Sequence, residues 1–366
     1  MKKVVLIGST GSIGRQVIDV VKRHPEEYTI CALISGRGGE AFEKQVKEIA
    51  PKYCAVASVD REKALSLAAL DEADIIFNAA GGFAGAEYSL RAVRAGKTLA
   101  LANKESLVCA GDIILPLSKK NSAKIIPVDS EHSAIWQCLN FDCKKPVKRL
   151  IITASGGAFR GYTKDMLKTV TAAQALNHPT WKMGKKITVD SATLMNKGYE
   201  IIEAHALFGT AYSAIEAVIQ PQSIIHSMVE FEDGAILAQL SYPTMEIPVQ
   251  LALSYPDRLH TSLAHMDFTK AFSLGFEPLK KEDYPCFNLA LKCGEVGGTA
   301  PCVLNAADEE AVHAFLNGRI AFTDIFRVAD ETVQKLDVHK AESFEDIIQT
   351  DKQAREVAQK IISRLQ

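Results

Sequence analysis

Short apolar runs at 3–7, 28–34, 53–57, 74–78, 98–101 and 124–128 punctuate the first third of the chain. Between them lie stretches with apolar residues at helical spacing, beginning near Ser12, Glu40, Glu62, Glu87 and Glu105. Brief continuous apolar runs suit strands buried on both faces, and the intervening stretches suit helices that cover those faces. The alternation predicts an α/β fold whose amino-terminal domain, 1–128, is a doubly wound parallel sheet of the Rossmann-like kind. Further strand candidates at 149–154, 217–219, 223–231 and 235–240, mixed with loops and a helix, predict a central α+β domain over 129–258. Regularity is lost over 259–286, where Gly275, Pro278 and Pro285 fit a linker. From Phe287 onward, helical spacing with breaks near Gly297-Gly298 and Asn317-Gly318 predicts a carboxy-terminal helical bundle over 287–366.

One polar run stands out against this pattern. Between Asn177 and Glu203 the chain offers an imidazole, an indole, ammonium groups, hydroxyls, an amide and carboxylates in quick succession, which no packing period requires. Pro179 and Gly184 bracket Trp181 and Met183, so 177–186 is expected to be a loop bearing two large apolar side chains, a lid rather than a linker. Downstream, Asp190 or Ser191 is placed to cap a helix carrying Leu194, Ile201, Ile202 and Leu207. On that helix Asn196 and Glu200 lie four apart and Lys197 and Glu200 three apart. The same spacing also describes a solvated face with a Lys–Glu pair, so the decision rests on the rest of the chain.

Composition narrows the classes. The 366 residues are 47% hydrophobic and 23% charged, with a net charge of −2. That is the profile of an ordinary globular protein, and scattered Lys and Arg argue against a nucleic-acid partner. No apolar run reaches the ~20 residues of a membrane span. The chain opens directly on strand-like Lys2–Ile7, so no signal or transit peptide is expected and a cytoplasmic location is. Cys31, Cys54, Cys109, Cys138, Cys143, Cys286, Cys293 and Cys302 form no Cys-x-x-Cys pair and are expected to be reduced thiols.

Candidate chemistry begins at the first strand's end. Gly8, Gly11 and Gly14 in Gly-Ser-Thr-Gly-Ser-Ile-Gly follow a strand and open a helix, the context in which glycines let a pyrophosphate approach backbone N–H groups. The second strand ends in Ser35-Gly36-Arg37-Gly38, with no acid to bind a ribose hydroxyl. Arg37 is suited to a 2′-phosphate, which favours NADP, unless it is an exposed loop arginine without a partner. Ala79-Ala80-Gly81-Gly82, after the fourth strand, is small enough for a cofactor to lie against.

Asp129-Ser130-Glu131 follows the sixth strand. If the backbone stays extended there, both acids share one face, and Glu200 would complete an oxygen-only set suited to Mg²⁺ or Mn²⁺. A surface loop with two acids is the plainer reading. Ser155-Gly156-Gly157, Ser191 and Asn196-Lys197 offer the hydroxyls, N–H groups and ammonium that a phosphate monoester needs, and Lys104 follows the fifth strand.

Six segments carry a resemblance: 8–14, Leu-Ala-Asn-Lys-Glu-Ser-Leu-Val at 101–108, Asp-Ser-Glu-His at 129–132, His-Pro-Thr-Trp-Lys-Met-Gly at 178–184, Asp-Ser-Ala-Thr-Leu-Met-Asn-Lys-Gly at 190–198, and Pro-Gln-Ser-Ile-Ile-His-Ser at 221–227. Together they resemble the 1-deoxy-D-xylulose 5-phosphate reductoisomerase family of the non-mevalonate isoprenoid route, over essentially the whole chain. The resemblance implies an NADPH-dependent and divalent-metal-dependent enzyme, using Mg²⁺, Mn²⁺ or Co²⁺, that converts 1-deoxy-D-xylulose 5-phosphate to 2-C-methyl-D-erythritol 4-phosphate as a homodimer. It makes Asp129, Glu131 and Glu200 the metal ligands, with Lys104 neutralising charge beside them. Ser155, Ser191, Asn196 and Lys197 would hold the substrate phosphate and Ser130 a hydroxyl, under a closing loop of His178, Trp181 and Met183. Thr10, Ser12, Ile13, Gly36, Arg37, Gly38, Ala79, Asn103, Lys104, Glu105 and Gly184 join the three glycines in the NADPH set. Asp308 and Glu246 depart from the family's usual residues, away from those sets. Two rivals remain: a metal-free NADP reductase of the semialdehyde dehydrogenase kind, which needs an activated cysteine, and a non-catalytic NADP-binding regulator.

Overall fold

The computed structural model describes residues 1–142 and 146–366 and divides the chain into two compact units. Cys143 lies outside the described residues; the other seven cysteines are free. No helix among the described residues is long and apolar enough to cross a membrane.

The first unit comprises 1–107, 114–133 and 244–263. Its elements are β1 (Lys2–Ile7), α1 (Ser12–Arg23), β2 (Tyr28–Ser35), α2 (Glu40–Ile49), β3 (Tyr53–Val56), α3 (Arg61–Leu67), β4 (Ile75–Asn78), α4 (Ala86–Arg94), β5 (Thr98–Leu101), α5 (Glu105–Lys120), β6 (Ile125–Pro127) and the start of α6 (Ser130–Cys138). The strands form one parallel sheet in the order β3-β2-β1-β4-β5-β6, the doubly wound topology expected from the alternation. Val4, Val5, Leu6, Ile76 and Phe77 are wholly buried, as the unbroken apolar runs require of strands covered on both faces. The strand order reverses between β1 and β4, which opens a crevice at their carboxyl ends.

The second unit, 108–113, 134–243 and 264–366, contains β7 (Val147–Ala154), α7 (Lys164–Leu167), α8 (Ala172–Ala175), α9 (Lys185–Thr193), α10 (Met195–Phe208), β8 (Ile215–Ile219), β9 (Ile225–Phe231) and β10 (Ile236–Leu240). After α11 (Glu246–Ser254), which belongs to the first unit, the second resumes with β11 (Glu277–Pro278), α12 (Pro285–Val296), α13 (Ala300–Leu316), α14 (Asp324–Lys335) and α15 (Phe344–Leu365). Its five-stranded sheet runs β10-β9-β7-β8-β11, with β7 and β8 parallel and the other pairs antiparallel. Leu150, Ile152, Leu194, Ile201, Ile219, Val229 and Phe287 form the core between this sheet and α10 and α12. The final helices are tied by Arg355, whose guanidinium reaches Glu309 at 2.7 Å, Glu310 at 3.1 Å and Asp351 at 2.8 Å. Residues 244–263 return to the first sheet: Arg23 of α1 meets Glu246 of α11 at 2.7 Å, and Lys124 lies 3.6 Å from the Tyr255 ring centroid.

Two local expectations are corrected. The backbone does not stay extended after β6, because α6 begins at Ser130 and the Asp129 carbonyl accepts from Ser133 N–H at 2.8 Å. Asp129 and Ser130 are residue types that favour a helix start, and Glu131 falls in the first turn, where the helix dipole favours a carboxylate. Nor do Asp190 and Ser191 cap a helix. They lie inside α9, and Leu194, left-handed at φ 56°, separates α9 from α10.

Candidate active site

The glycine-rich turn packs tightly across the crevice. Gly8 and Ser9 N–H groups donate to the Ile34 carbonyl at 2.8 and 3.1 Å, which docks the end of β1 on β2. Gly8 has φ +77°, and a Cβ there would lie 2.3 Å from the Ala79 carbonyl oxygen. Backbone from β1 and β4 therefore meets with no room for a side chain. Thr10, Ser12 and Ile13 are half-buried around the exposed Gly11, and Gly14 is buried in the helix. The first turn of α1 carries no acidic residue, leaving its positive end open to a pyrophosphate.

At the end of β2, Ser35 Oγ accepts from Gly38 N–H at 3.3 Å, shaping a loop on which Gly36 and Arg37 are exposed. Asn103, only 1% exposed, spends its amide inside the protein. It donates to the Ala80 and Gly82 carbonyls at 3.0 and 2.9 Å and to Glu105 Oε2 at 2.8 Å, while its Oδ1 accepts from Ser106 Oγ at 2.5 Å. Asn78 extends this frame by donating to the Gly85 carbonyl and Ser89 Oγ, each at 2.8 Å. The 79–85 loop is thus held from both sides by buried amides, an arrangement the local sequence did not announce.

The acids lie further along the same edge. Lys104 Nζ is 2.7 Å from Asp129 Oδ2, with both side chains largely buried. Burial alone pushes the Asp129 carboxyl up; the Lys104 ammonium beside it, by charge and hydrogen bond, leads the effects that more than offset burial and hold the group well below the carboxylate range. His132 Nδ1 stands 4.0 Å from Asp129 Oδ1. Ser130 Oγ donates to Glu131 Oε2 at 2.6 Å.

The second unit assembles the polar run. Leu194 turns the chain so that Asn196 and Lys197 fall in the first turn of α10, and both reach Glu200: Asn196 Nδ2 donates at 2.5 Å, and Lys197 Nζ pairs with the other oxygen. Lys197 and Glu200 are 4% and 2% exposed, so the solvated-face reading fails. Gly157, φ +70°, lets the turn after β7 press on α9; a Cβ there would lie 2.4 Å from the Ser191 carbonyl oxygen. Half-buried Ser155 and Ser191 are thereby carried on two elements in backbone contact.

His178 organises the loop before α9. Its Nδ1 accepts from Thr180 and Trp181 N–H groups at 3.1 and 3.0 Å, which places the ring proton on Nε2, 3.0 Å from Ser155 Oγ. Burial pushes its pKa below the ordinary histidine value, favouring this neutral form. Nε2 therefore donates to Ser155 Oγ, which also accepts from Gly157 N–H at 3.3 Å and keeps its own proton to donate. Trp181 and Met183 are half-buried, and the Trp181 ring centroid lies 6.2 Å from that of His226. Gly184 is the N-cap residue of α9.

Sequence reasoning gave no role to three further groups. His132 lies beside Asp129, as above. His226 is 4% exposed, with Nε2 2.9 Å from Ser241 Oγ, and burial pushes its pKa down to about 4. Lys186 bridges Asp190 and Asp308. A histidine inside the apolar strand pattern at 224–229 was the available signal for His226; nothing local links Lys186 to Asp308.

Comparison with known proteins decides the family. Models described as 1-deoxy-D-xylulose 5-phosphate reductoisomerase and its C-terminal domains match residues 4–111, 125–208 and 240–357. The 1-deoxy-D-xylulose 5-phosphate reductoisomerase of Thermodesulfovibrio yellowstonii is 45% identical, covering 99% of this chain and 100% of its own. That of Chlorobaculum tepidum is 46% identical with the same coverage. The chain belongs to the 1-deoxy-D-xylulose 5-phosphate reductoisomerase family. Among solved reductoisomerases, one in complex with NADPH, fosmidomycin and magnesium superposes with a TM-score of 0.92 at 33% identity, covering 99% of this chain and 98% of that one. The Zymomonas mobilis reductoisomerase in complex with NADPH gives 0.88 at 37% identity, covering 99% of each. The semialdehyde dehydrogenase alternative is not favoured. It needs a thiolate, whereas burial pushes the thiols of Cys31, Cys109 and Cys286 up, Cys138 to about 11 and Cys293 to about 12.

Proposed function

We propose that Asp129, Glu131 and Glu200 hold the divalent cation of this reductoisomerase, and that Ser155, Ser191, Asn196 and Lys197 hold the substrate phosphate. The reaction is the rearrangement and reduction of 1-deoxy-D-xylulose 5-phosphate to 2-C-methyl-D-erythritol 4-phosphate with NADPH and a divalent cation, a step of isoprenoid precursor biosynthesis. The observation that carries the assignment is that each acid is already oriented by polar or cationic neighbours: Lys104 beside Asp129, Ser130 beside Glu131, Asn196 and Lys197 beside Glu200. Three carboxylates with no sulfur suit Mg²⁺ or Mn²⁺. When bound, the cation polarises the substrate's oxygens and NADPH supplies hydride.

The remaining steps fall to the chain's own residues. Ser155, its lone pair engaged by His178, donates to a phosphate oxygen, and Lys197 supplies charge. Ser130 meets a substrate hydroxyl. Phosphate binding, remote from the reacting carbons, orients them and draws the 177–186 loop closed, with Trp181 and Met183 excluding water. Lys104 offsets negative charge beside Asp129. For the cofactor we assign the Gly8–Gly14 turn, the 36–38 loop, Ala79, Asn103, Lys104, Glu105 and Gly184, with Arg37 on the 2′-phosphate. Functionally we assign 1–128 to NADPH, 129–258 to catalysis and dimerisation, 259–286 to a linker and 287–366 to a helical domain. A homodimer is supported by β10, a sheet edge with Ile236 and Leu237 about half exposed. We place the enzyme in the cytoplasm.

Following NADPH absorbance with 1-deoxy-D-xylulose 5-phosphate tests this reading. Oxidation is expected with Mg²⁺ or Mn²⁺ and abolished by EDTA; turnover that survives exhaustive chelation sinks the metal assignment. In the same assay Arg37→Asp is expected to raise the KM for NADPH by about tenfold or more and to narrow the preference over NADH, through loss of a charge-assisted contact worth about 1.5–3 kcal/mol. An unaltered preference removes Arg37 from the 2′-phosphate.

A further inference from the structure

Lys186 lies in the first turn of α9, just after the loop that carries Trp181 and Met183. Its Nζ is 2.7 Å from Asp190 Oδ2 and 2.9 Å from Asp308 Oδ2, and 5.1 Å from the Tyr199 ring centroid. One ammonium thus touches α9, α10 and α13. The acids are 2% and 0% exposed, and burial pushes Asp308 above its ordinary value. An ammonium shared by two buried carboxylates is a costly device, and such groups are often replaceable by apolar residues without loss of stability. Its placement supplies a reason to keep it. Asp190 precedes Ser191, Tyr199 precedes Glu200 and follows Asn196 and Lys197 by a turn or less, and the 155–157 turn bears on α9 at Ser191, where Gly157 leaves no room for even a Cβ.

We infer that Lys186 and Asp308 are positioning residues for the phosphate-binding groups: the ion pair draws α9 and α10 against α13 and so sets Ser191, Asn196 and Lys197 to converge on one anion. The inference rests on the phosphate assignment proposed above. Neither residue touches substrate; each acts through the helices it joins. A helix released from one side drifts by fractions of an ångström, which is enough to misplace a bound phosphate.

The test measures the KM for 1-deoxy-D-xylulose 5-phosphate, competitive inhibition by inorganic phosphate, NADPH affinity and thermal unfolding of the Mg²⁺-loaded enzyme. Asp308→Ala is expected to raise the substrate KM and the inhibition constant for phosphate together by about tenfold, with NADPH affinity held within about twofold. Asp308→Asn keeps an oxygen acceptor for Lys186 and is expected to restore both constants to within about threefold of the parent. Should Asp308→Ala fail to fold, Lys186→Gln is read instead, with the same paired rise expected. A folded Asp308→Ala or Lys186→Gln enzyme with unchanged substrate KM and phosphate inhibition overturns the inference, as does an Asp308→Asn enzyme as impaired as Asp308→Ala. Ser191→Ala separates the two levels. If it raises both constants while Asp308→Ala does not, only the positioning role fails; if it leaves both unchanged, the phosphate assignment itself falls.

Discussion

Replacing Glu200 by Gln is expected to lower kcat by about a thousandfold or more while leaving NADPH affinity within about twofold. The side chain is 2% exposed, so the substitution changes charge at nearly constant shape. In the parent, Asn196 Nδ2 and Lys197 Nζ both donate to Glu200 oxygens. A Gln amide can accept only one of them and presents its own NH₂ to the other, so the variant loses a cation ligand and sets donor against donor. Destabilisation of about 1–3 kcal/mol is expected from the poorly satisfied Lys197, which still leaves a folded enzyme to assay. NADPH affinity isolates the effect, because the glycine-rich turn belongs to the other compact unit. Steady-state kinetics over a range of Mg²⁺ concentrations, with NADPH binding followed by fluorescence, provides the check. Turnover within threefold of the parent would remove Glu200 from the ligand set.

Gly8→Ala is expected to disable the dinucleotide site and to loosen the first unit. At φ +77° the new methyl would stand 2.3 Å from the Ala79 carbonyl oxygen and 2.6 Å from its carbon. Both atoms are backbone at the end of β4, in a loop held by Asn103 and Asn78, and cannot swing aside as a flexible side chain could. Left-handed backbone costs an alanine about 1–2 kcal/mol, and overpacking adds about 1–3 kcal/mol. A loss on the order of 3 kcal/mol corresponds to a fall in Tm on the order of 10 °C for a unit of this size. NADPH affinity should drop by about tenfold or more, since β1 and β4 must part to relieve the clash. Thermal unfolding with and without NADPH, together with a binding titration, measures both effects; an unshifted first transition and unchanged affinity would refute the steric argument.

The parallel sheet is legible in the sequence because its signals are local. A run such as Val4–Ile7 must be buried on both sides, and the helix beginning at Ser12 after glycines has little choice of direction. The candidate site is legible for a complementary reason: between Asn177 and Glu203 the density of polar groups serves no packing period, and Glu200, Lys197 and Asn196 do meet as helical spacing implies. Where local reading errs, two local signals compete. Asp129-Ser130-Glu131 reads as strand continuation although its residue types also begin a helix, and the stretch downstream of Asp190 reads as one helix because a left-handed Leu194 has no signature in composition.

By itself, then, the sequence determined the alternation of strands and helices, the glycine-rich turn, the absence of an acid beside Arg37, and the inventory of acids, hydroxyls and ammonium groups. Each follows from spacing within one element or from residue type. Tertiary structure alone decided that 244–263 returns to the first sheet, that the Gly157 turn bears on Ser191, that His178 accepts two backbone N–H groups and so directs its proton to Ser155, and that Lys186 spans Asp190 and Asp308. These last pairings join residues far apart in the chain or depend on a single left-handed or close-packed backbone position. Periodicity carries no information about them; they are settled when the elements pack and each buried polar atom must find a partner in whatever surface it meets.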